Sequence, residues 1–222
     1  MRHFASPAFW QAYASLPQNI RSLADKNYAL LKVTRRVRAG MQGETVFRFK
    51  CATCGEWHEG MPSYGAEAPL PYYGVPEAER EARCILGSDQ CVVDEKEFFV
   101  RGCLEIPVHG EESPFVYGVW VSLSKASFVA YSRCYNDAKR SHIGPFFGWF
   151  NTGLALYPST VNLKTMVHLR DNGMRPWIEL EPTDHPLAIE QREGISVARL
   201  TEIFAYYVHG RIDGGRDVAD AG

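Results

Sequence analysis

The sequence predicts an α+β domain: a central, mostly antiparallel sheet opened by a cysteine knuckle, C-terminal helices after it, and a helical hairpin before it. Three observations predict this. Segments with period-two alternation cluster in the middle of the chain, at 98–108, 115–123 and 162–170. Apolar stripes of helical period lie at the two ends, within 6–32 and 196–210. Strands and helices do not alternate as they would in a run of βαβ units.

Ser6 is a good N-cap and Pro7 suits the first helical position. Phe9, Tyr13 and Leu16 share one helical face, and after Pro17 a second stripe follows through Ile20, Leu23, Ala24, Tyr28 and Leu31. Residues 33–45 are basic, carry two glycines and have no apolar period, so 1–45 is expected to be a hairpin appendage plus linker. A short strand at 46–50 leads into the knuckle, 59–75 is expected to be an ordered loop rich in Pro, Gly and Tyr, and 76–86 a helix ending at Gly87.

In 98–108, Phe98, Val100, Leu104, Ile106 and Val108 alternate with Arg101, Cys103 and Glu105. Strands are expected next at 115–123 and 127–132, a loop at 133–148, and further strands at 162–170 and 177–181. Asp184 and Pro186 start a short helix that Gly194 ends. Ser196 caps a longer one, with Val197, Leu200, Phe204 and Tyr207 facing inward up to Gly210. The main domain is therefore expected over 46–210, and the small, polar residues 211–222 form a flexible tail.

With 222 residues the chain can bury a sizeable core. A net charge of −2 makes no case for nucleic acid or a membrane surface, although it is unevenly spread. Residues 1–40 hold seven lysines and arginines against one acid, Asp25, a net of +6, which leaves −8 on the remainder. The first ten residues lack the pattern of an export signal, and no apolar run approaches the ~20 residues of a membrane helix. A cytoplasmic location is expected. Six cysteines in a reducing compartment then point to metal ligation or burial rather than disulfides.

Cys51-Ala-Thr-Cys54-Gly55 carries the sharpest chemistry. Two cysteines three apart can point both thiolates into one tetrahedral site, and the following glycine permits the tight turn. His58, four residues further on, is within reach of the same ion. A structural zinc site needs a fourth ligand, for which Cys84, Cys91, Cys103 and His185 are candidates. Cys91 is favoured: it follows the polar Ser88-Asp89-Gln90 turn just before a strand, whereas Cys103 sits on a strand's polar face and Cys84 within a helix. The predicted ligands of a structural zinc are thus Cys51, Cys54, His58 and Cys91. Without a fourth protein ligand, water would complete the shell, and Glu56 or Glu59 would stand beside an open metal.

Other residues support blander readings. Asp184 is expected to be an N-cap with His185 in the first helical turn, and His168 a solvated residue. Lys139, Arg140 and His142 form an anion patch or, more simply, a solvated loop. Phe146-Phe147-Gly148-Trp149-Phe150 is core or a pocket wall, or a partner surface if exposed. No P-loop, dinucleotide fingerprint or Gly-x-Ser-x-Gly elbow is present.

From about 47 to 209 the chain resembles the bacterial family called domain of unknown function 2199. The likeness is carried by Phe49-x-Cys51-x-x-Cys54-Gly55-x-x-His58-x-Gly60-x-Pro62, the Asp89-x-Cys91 turn, Phe98-Phe99-Val100-Arg101-Gly102 and Glu105-Ile106-Pro107-Val108. Trp120-Val121-Ser122-Leu123, Phe147-Gly148-Trp149 and Asp184-His185-Pro186-Leu187-Ala188 extend it. The resemblance implies no activity; it adds Cys91 to the motif residues. Residues 2–32, through Arg2-His3-Phe4, Phe9-Trp10 and Leu16-Pro17, resemble the opening hairpin of a RelE/ParE-type toxin without the sheet that carries such a toxin's chemistry. The expected function is a non-enzymatic zinc-binding module with a protein partner. The alternatives are a zinc-dependent hydrolase and a component of a toxin–antitoxin or immunity system.

Overall fold

A computed structural model describes residues 46–210. The hairpin, basic linker and tail expected at 1–45 and 211–222, and with them the toxin resemblance, lie outside the described residues.

Two long strands organise the domain. β6 (Glu97–Ile106) and β7 (Phe115–Leu123) form an antiparallel ladder from Phe98↔Leu123 to Ile106↔Phe115. β7 then pairs with β8 (Phe146–Phe150), β8 with β9 (Lys164–His168) and β9 with β10 (Trp177–Leu180), all antiparallel. β10 returns to β6 in parallel at Trp177↔Cys103, so the expected central sheet closes into a five-stranded barrel. Closure needs the strand crossing to be tight at Gly102, where a Cβ would lie 2.5 Å from Ile178 Cδ1 and 2.9 Å from the Pro176 carbonyl.

The long strands also carry strands outside the barrel. β3 (Ser63–Gly65) runs parallel to β7 at Val116–Gly118. β5 (Gln90–Val93) pairs with the start of β6, and β4 (Cys84–Leu86) pairs with β5. A separate hairpin, β1 (Arg48–Lys50) with β2 (Trp57–Glu59), holds the knuckle.

Alternation on β6 and β7 sends Val100, Leu104, Ile106, Tyr117, Val119 and Val121 into the main core, where Phe150, Val167 and Ile178 meet them. Three helices add to that core: α3 (Lys125–Arg133) through Tyr131, α4 (Pro186–Glu193) through Leu187, and α5 (Val197–His209) through Leu200 and Ile203. Burial of each such side chain is worth about 2 kcal/mol. On the outer face of β6 and β7, Phe99 and Trp120 pack with Val75, Cys91 and Val93.

Several local expectations are corrected. The strand expected at 127–132 is α3, because the Ser124 hydroxyl accepts from the Ser127 amide and starts a helix whose Phe128 and Tyr131, three apart, turn inward. The helix expected over 76–86 stops as α2 (Glu77–Arg83), and Cys84–Leu86 becomes an edge strand. There the Asp94 amide donates to the Arg83 carbonyl, while Arg83 binds Asp94 and Glu79. The loop expected over 59–75 contains β3 and α1 (Leu70–Gly74), and β8 begins inside the loop expected at 133–148. α4 is capped by His185, not Asp184: its Nδ1 accepts from the Leu187 amide at 3.2 Å. His168 is bound at 2.7 Å to Glu179 on β10. No helix among the described residues is long and apolar enough to cross a membrane.

Candidate metal centre

The β1–β2 hairpin is closed by a short turn. The Cys51 amide donates to the Glu56 carbonyl and the Gly55 amide to the Cys51 carbonyl, both at 2.9 Å. Gly55 takes φ 73°, the left-handed conformation that the turn requires and that other residues resist. The register Phe49↔His58 puts the His58 ring beside Phe49, with centroids 5.5 Å apart.

α5 approaches from the other side. Phe204 lies 4.9 Å from Phe49 and 4.4 Å from His58, ring centre to ring centre. With Phe49 and Cys51 it forms a small apolar cluster. That packing sets the helix against the hairpin, so the last helical residue, His209, meets the knuckle. Gly210 ends the helix at φ 59°.

Four donors converge. One ligand atom each from Cys51, Cys54, His58 and His209 lies within 4.8 Å of the other three. Cys51 Sγ is 3.4 Å from His209 Nε2, and Cys54 Sγ is 3.3 Å from His58 Nε2. Around a tetrahedral zinc, bond lengths of ~2.3 Å to sulfur and ~2.0 Å to nitrogen give ligand–ligand separations of roughly 3.3–3.8 Å. Two of the edges already match, and none of the others exceeds 4.8 Å. Cys51 is buried and Cys54 exposed, so the site sits at the surface with one ligand rooted in packed structure. Burial pushes the Cys51 thiol up, but the amides of Cys54 and Thr53 and their side chains outweigh it and hold the thiol below its ordinary value. The C-terminal end of α5 adds the negative end of its dipole, which favours a cation at that position.

Three predicted ligands therefore meet, and the fourth donor beside them is His209. Cys91 is elsewhere: it is fully buried on β5 among Val75, Val93, Phe99 and Trp120. Its register partner is Phe99, and it points into the outer core. Burial, with the neighbouring Cys84 and Glu97, pushes its thiol up to about 12, the opposite of what a ligand needs. Cys84 lies beside it, Cys103 beside Arg170, and His185 caps α4. The sequence did hold a sign of His209, a histidine just before the glycine that ends an amphipathic helix, but no spacing ties it to a knuckle about 150 residues earlier. Glu59 is bound to Arg48 at 3.2 Å across the hairpin.

The other singled-out residues also find places. Arg140 is no part of an anion patch: it is buried and donates to three carbonyls. In β8, Phe150 is buried, while Phe147 and Trp149 are exposed and pack edge to face.

A family model described as "uncharacterized protein conserved in bacteria" matches residues 50–195, which include Cys51, Cys54 and His58 but not His209. No curated protein and no solved structure matches the chain. A match over most of the chain, beginning next to the knuckle and running through the whole barrel, shows that this protein belongs to the bacterial family called domain of unknown function 2199.

Proposed function

We propose that Cys51, Cys54, His58 and His209 bind one structural zinc, and that the domain is a zinc-stapled, non-enzymatic binding module. The observation that carries this reading is that four protein donor atoms, enough to fill a tetrahedral shell, lie within 4.8 Å of one another. Closed shells of two thiolates and two imidazoles are structural; hydrolytic zinc keeps a position for water. With His209 in the fourth position the water has no place, and the acids nearest in sequence serve other ends: Glu59 pairs with Arg48, and the Glu56 carbonyl closes the knuckle turn.

Zinc here would join the β1–β2 hairpin to the last turn of α5. It would staple two segments that otherwise touch through Phe49, His58 and Phe204. X-ray absorption at the zinc edge of the loaded protein tests the shell. The reading predicts two sulfurs at ~2.3 Å and two nitrogens at ~2.0 Å. A shell with one nitrogen replaced by an exchangeable oxygen would instead support a zinc hydrolase.

A further inference from the structure

Away from the knuckle, the outer face of β6 carries a cation without a hydrogen-bond partner among the described residues. Arg80, Arg140, Arg170 and Arg199 are wholly or partly buried, and each donates to a carbonyl or carboxylate. Arg101 is partly buried too, yet its buried Nε has no hydrogen-bond partner among the described residues. The guanidinium carbon stands 6.0 Å from the centre of the Trp120 ring, and that ring is fully buried and anchored by its Nε1 donating to the Ala66 carbonyl. Beyond it lie Gly65 and Gly118, paired across β3 and β7. A Cβ on Gly65 would come within 2.8 Å of Arg101 Nη2, and one on Gly118 within 3.5 Å. The guanidinium thus lies in a slot that only these two glycines leave open.

A second cation stands close by. Arg175 uses its Nε to bind Asp89 Oδ1 at 2.5 Å. The Asp89 carboxylate is already taken: Oδ2 also accepts from the hydroxyls of Tyr135 and Ser88, both at 2.8 Å. The Asp89 carbonyl in turn accepts from the Arg101 amide at 2.9 Å, so the residue that binds Arg175 is tied directly to Arg101. Burial and then the like charge of Arg175 hold Arg101 below the usual arginine value; Asp89, Cys103 and Glu67 oppose that without neutralising it. Among the described residues, Asp89 and Glu67 stand near the two guanidinium groups, and the Arg101 Nε is hydrogen-bonded to neither.

We propose that Arg101 and Arg175 bind the oxyanion of a small ligand, a carboxylate or a phosphate group, with the buried Trp120 ring as the rigid support behind Arg101. Arg101 offers the planar fork that matches two oxygens, and Arg175 adds the second charge. The site is independent of the zinc centre.

The test is an amide and indole NMR titration of the full chain with sodium acetate and, separately, inorganic phosphate, at ionic strength held constant with chloride. Saturable shifts are expected at the Trp120 indole and the Gly65 and Gly118 amides, and the arm that saturates first identifies which oxyanion is preferred. Arg101→Met is expected to weaken binding at least about tenfold, and Arg101→Lys to weaken it less. Gly65→Ala keeps both charges but fills the slot beside Nη2, and is expected to weaken binding as well. Arg101→Met is also expected to be no less stable than the parent, since its side chain gives up no hydrogen bond. Drifts that never saturate, or equal midpoints in the parent and in Arg101→Met or Gly65→Ala, would overturn the proposal. So would a marked loss of stability in Arg101→Met, which would reveal a structural partner.

Discussion

Replacing Arg140 by Met tests how a buried cation can hold a fold with no counter-ion among the described residues. Arg140 is 2% exposed. Its Nε donates to the Arg170 carbonyl at 3.0 Å, Nη1 to that of Tyr135 at 2.9 Å and Nη2 to that of Met174 at 2.8 Å. The guanidinium also lies 5.9 Å and 5.7 Å from the ring centres of Tyr131 and Tyr135. Together with Asp171, which accepts from the Arg140 and Ser141 amides, it ties the segment after α3 to the connection between β9 and β10. Met keeps the apolar stem but removes every donor. Each orphaned carbonyl costs about 1–3 kcal/mol, and relief of the guanidinium's own desolvation offsets part of that, so a net loss of about 3–4 kcal/mol is expected. For a domain of this size that lowers the melting temperature by roughly 10 °C. Urea unfolding followed by circular dichroism gives the free energy directly, with an unchanged slope as the control. A loss below about 1 kcal/mol would mean that water or loop motion satisfies those carbonyls, and the reasoning would fail.

Other predictions follow from the same geometry. Gly102→Ala forces a methyl against Ile178 and the Pro176 carbonyl where β10 closes on β6; a destabilisation of about 2 kcal/mol or more is expected in urea titrations, and a neutral result would show that the barrel closes loosely. Because the folded-state Cys91 value, about 12, is above its ordinary 9.0, the stability it contributes is complete below pH 9 and is lost as pH rises from 9 towards 12. Cys103, also pushed up by burial, titrates in part of the same range, so the difference between the parent and Cys91→Val isolates Cys91. The parent should lose up to about 1.4 kcal/mol more per pH unit, and identical pH profiles would contradict the burial argument. Stripping metal with a chelator should destabilise the domain by about 4 kcal/mol relative to saturating zinc, read as a drop in melting temperature, and chelation without effect would count against a structural role.

The parts of the fold legible in the sequence are those set by local pattern. β6 and β7 announce themselves because Val100, Leu104 and Ile106, or Tyr117, Val119 and Val121, need one buried face. α5 is legible because Leu200 and Phe204 fall on one stripe behind the Ser196 cap. The knuckle is legible because its spacing makes a chelate on its own. What stayed hidden depends on distant chain. Barrel closure rests on Trp177 meeting Cys103, a pairing that nothing in either segment encodes except the glycine beside it. α3 contains enough Phe, Val and Tyr to pass for a strand, and only the Ser124 cap and the inward spacing of Phe128 and Tyr131 decide otherwise. Of the candidates for the fourth ligand the sequence favours Cys91, but a cysteine's burial says nothing of its role: Cys91 fills the outer core, while a helix end brings His209 to the Cys/His cluster.

The most direct test of the zinc centre is the metal content of the full chain purified under reducing, chelator-free conditions, measured for the parent, His209→Ala and Cys91→Ser. The account predicts about one zinc per chain in the parent and in Cys91→Ser, and a clear loss in His209→Ala. No metal in the parent, or zinc kept by His209→Ala and lost by Cys91→Ser, would contradict it.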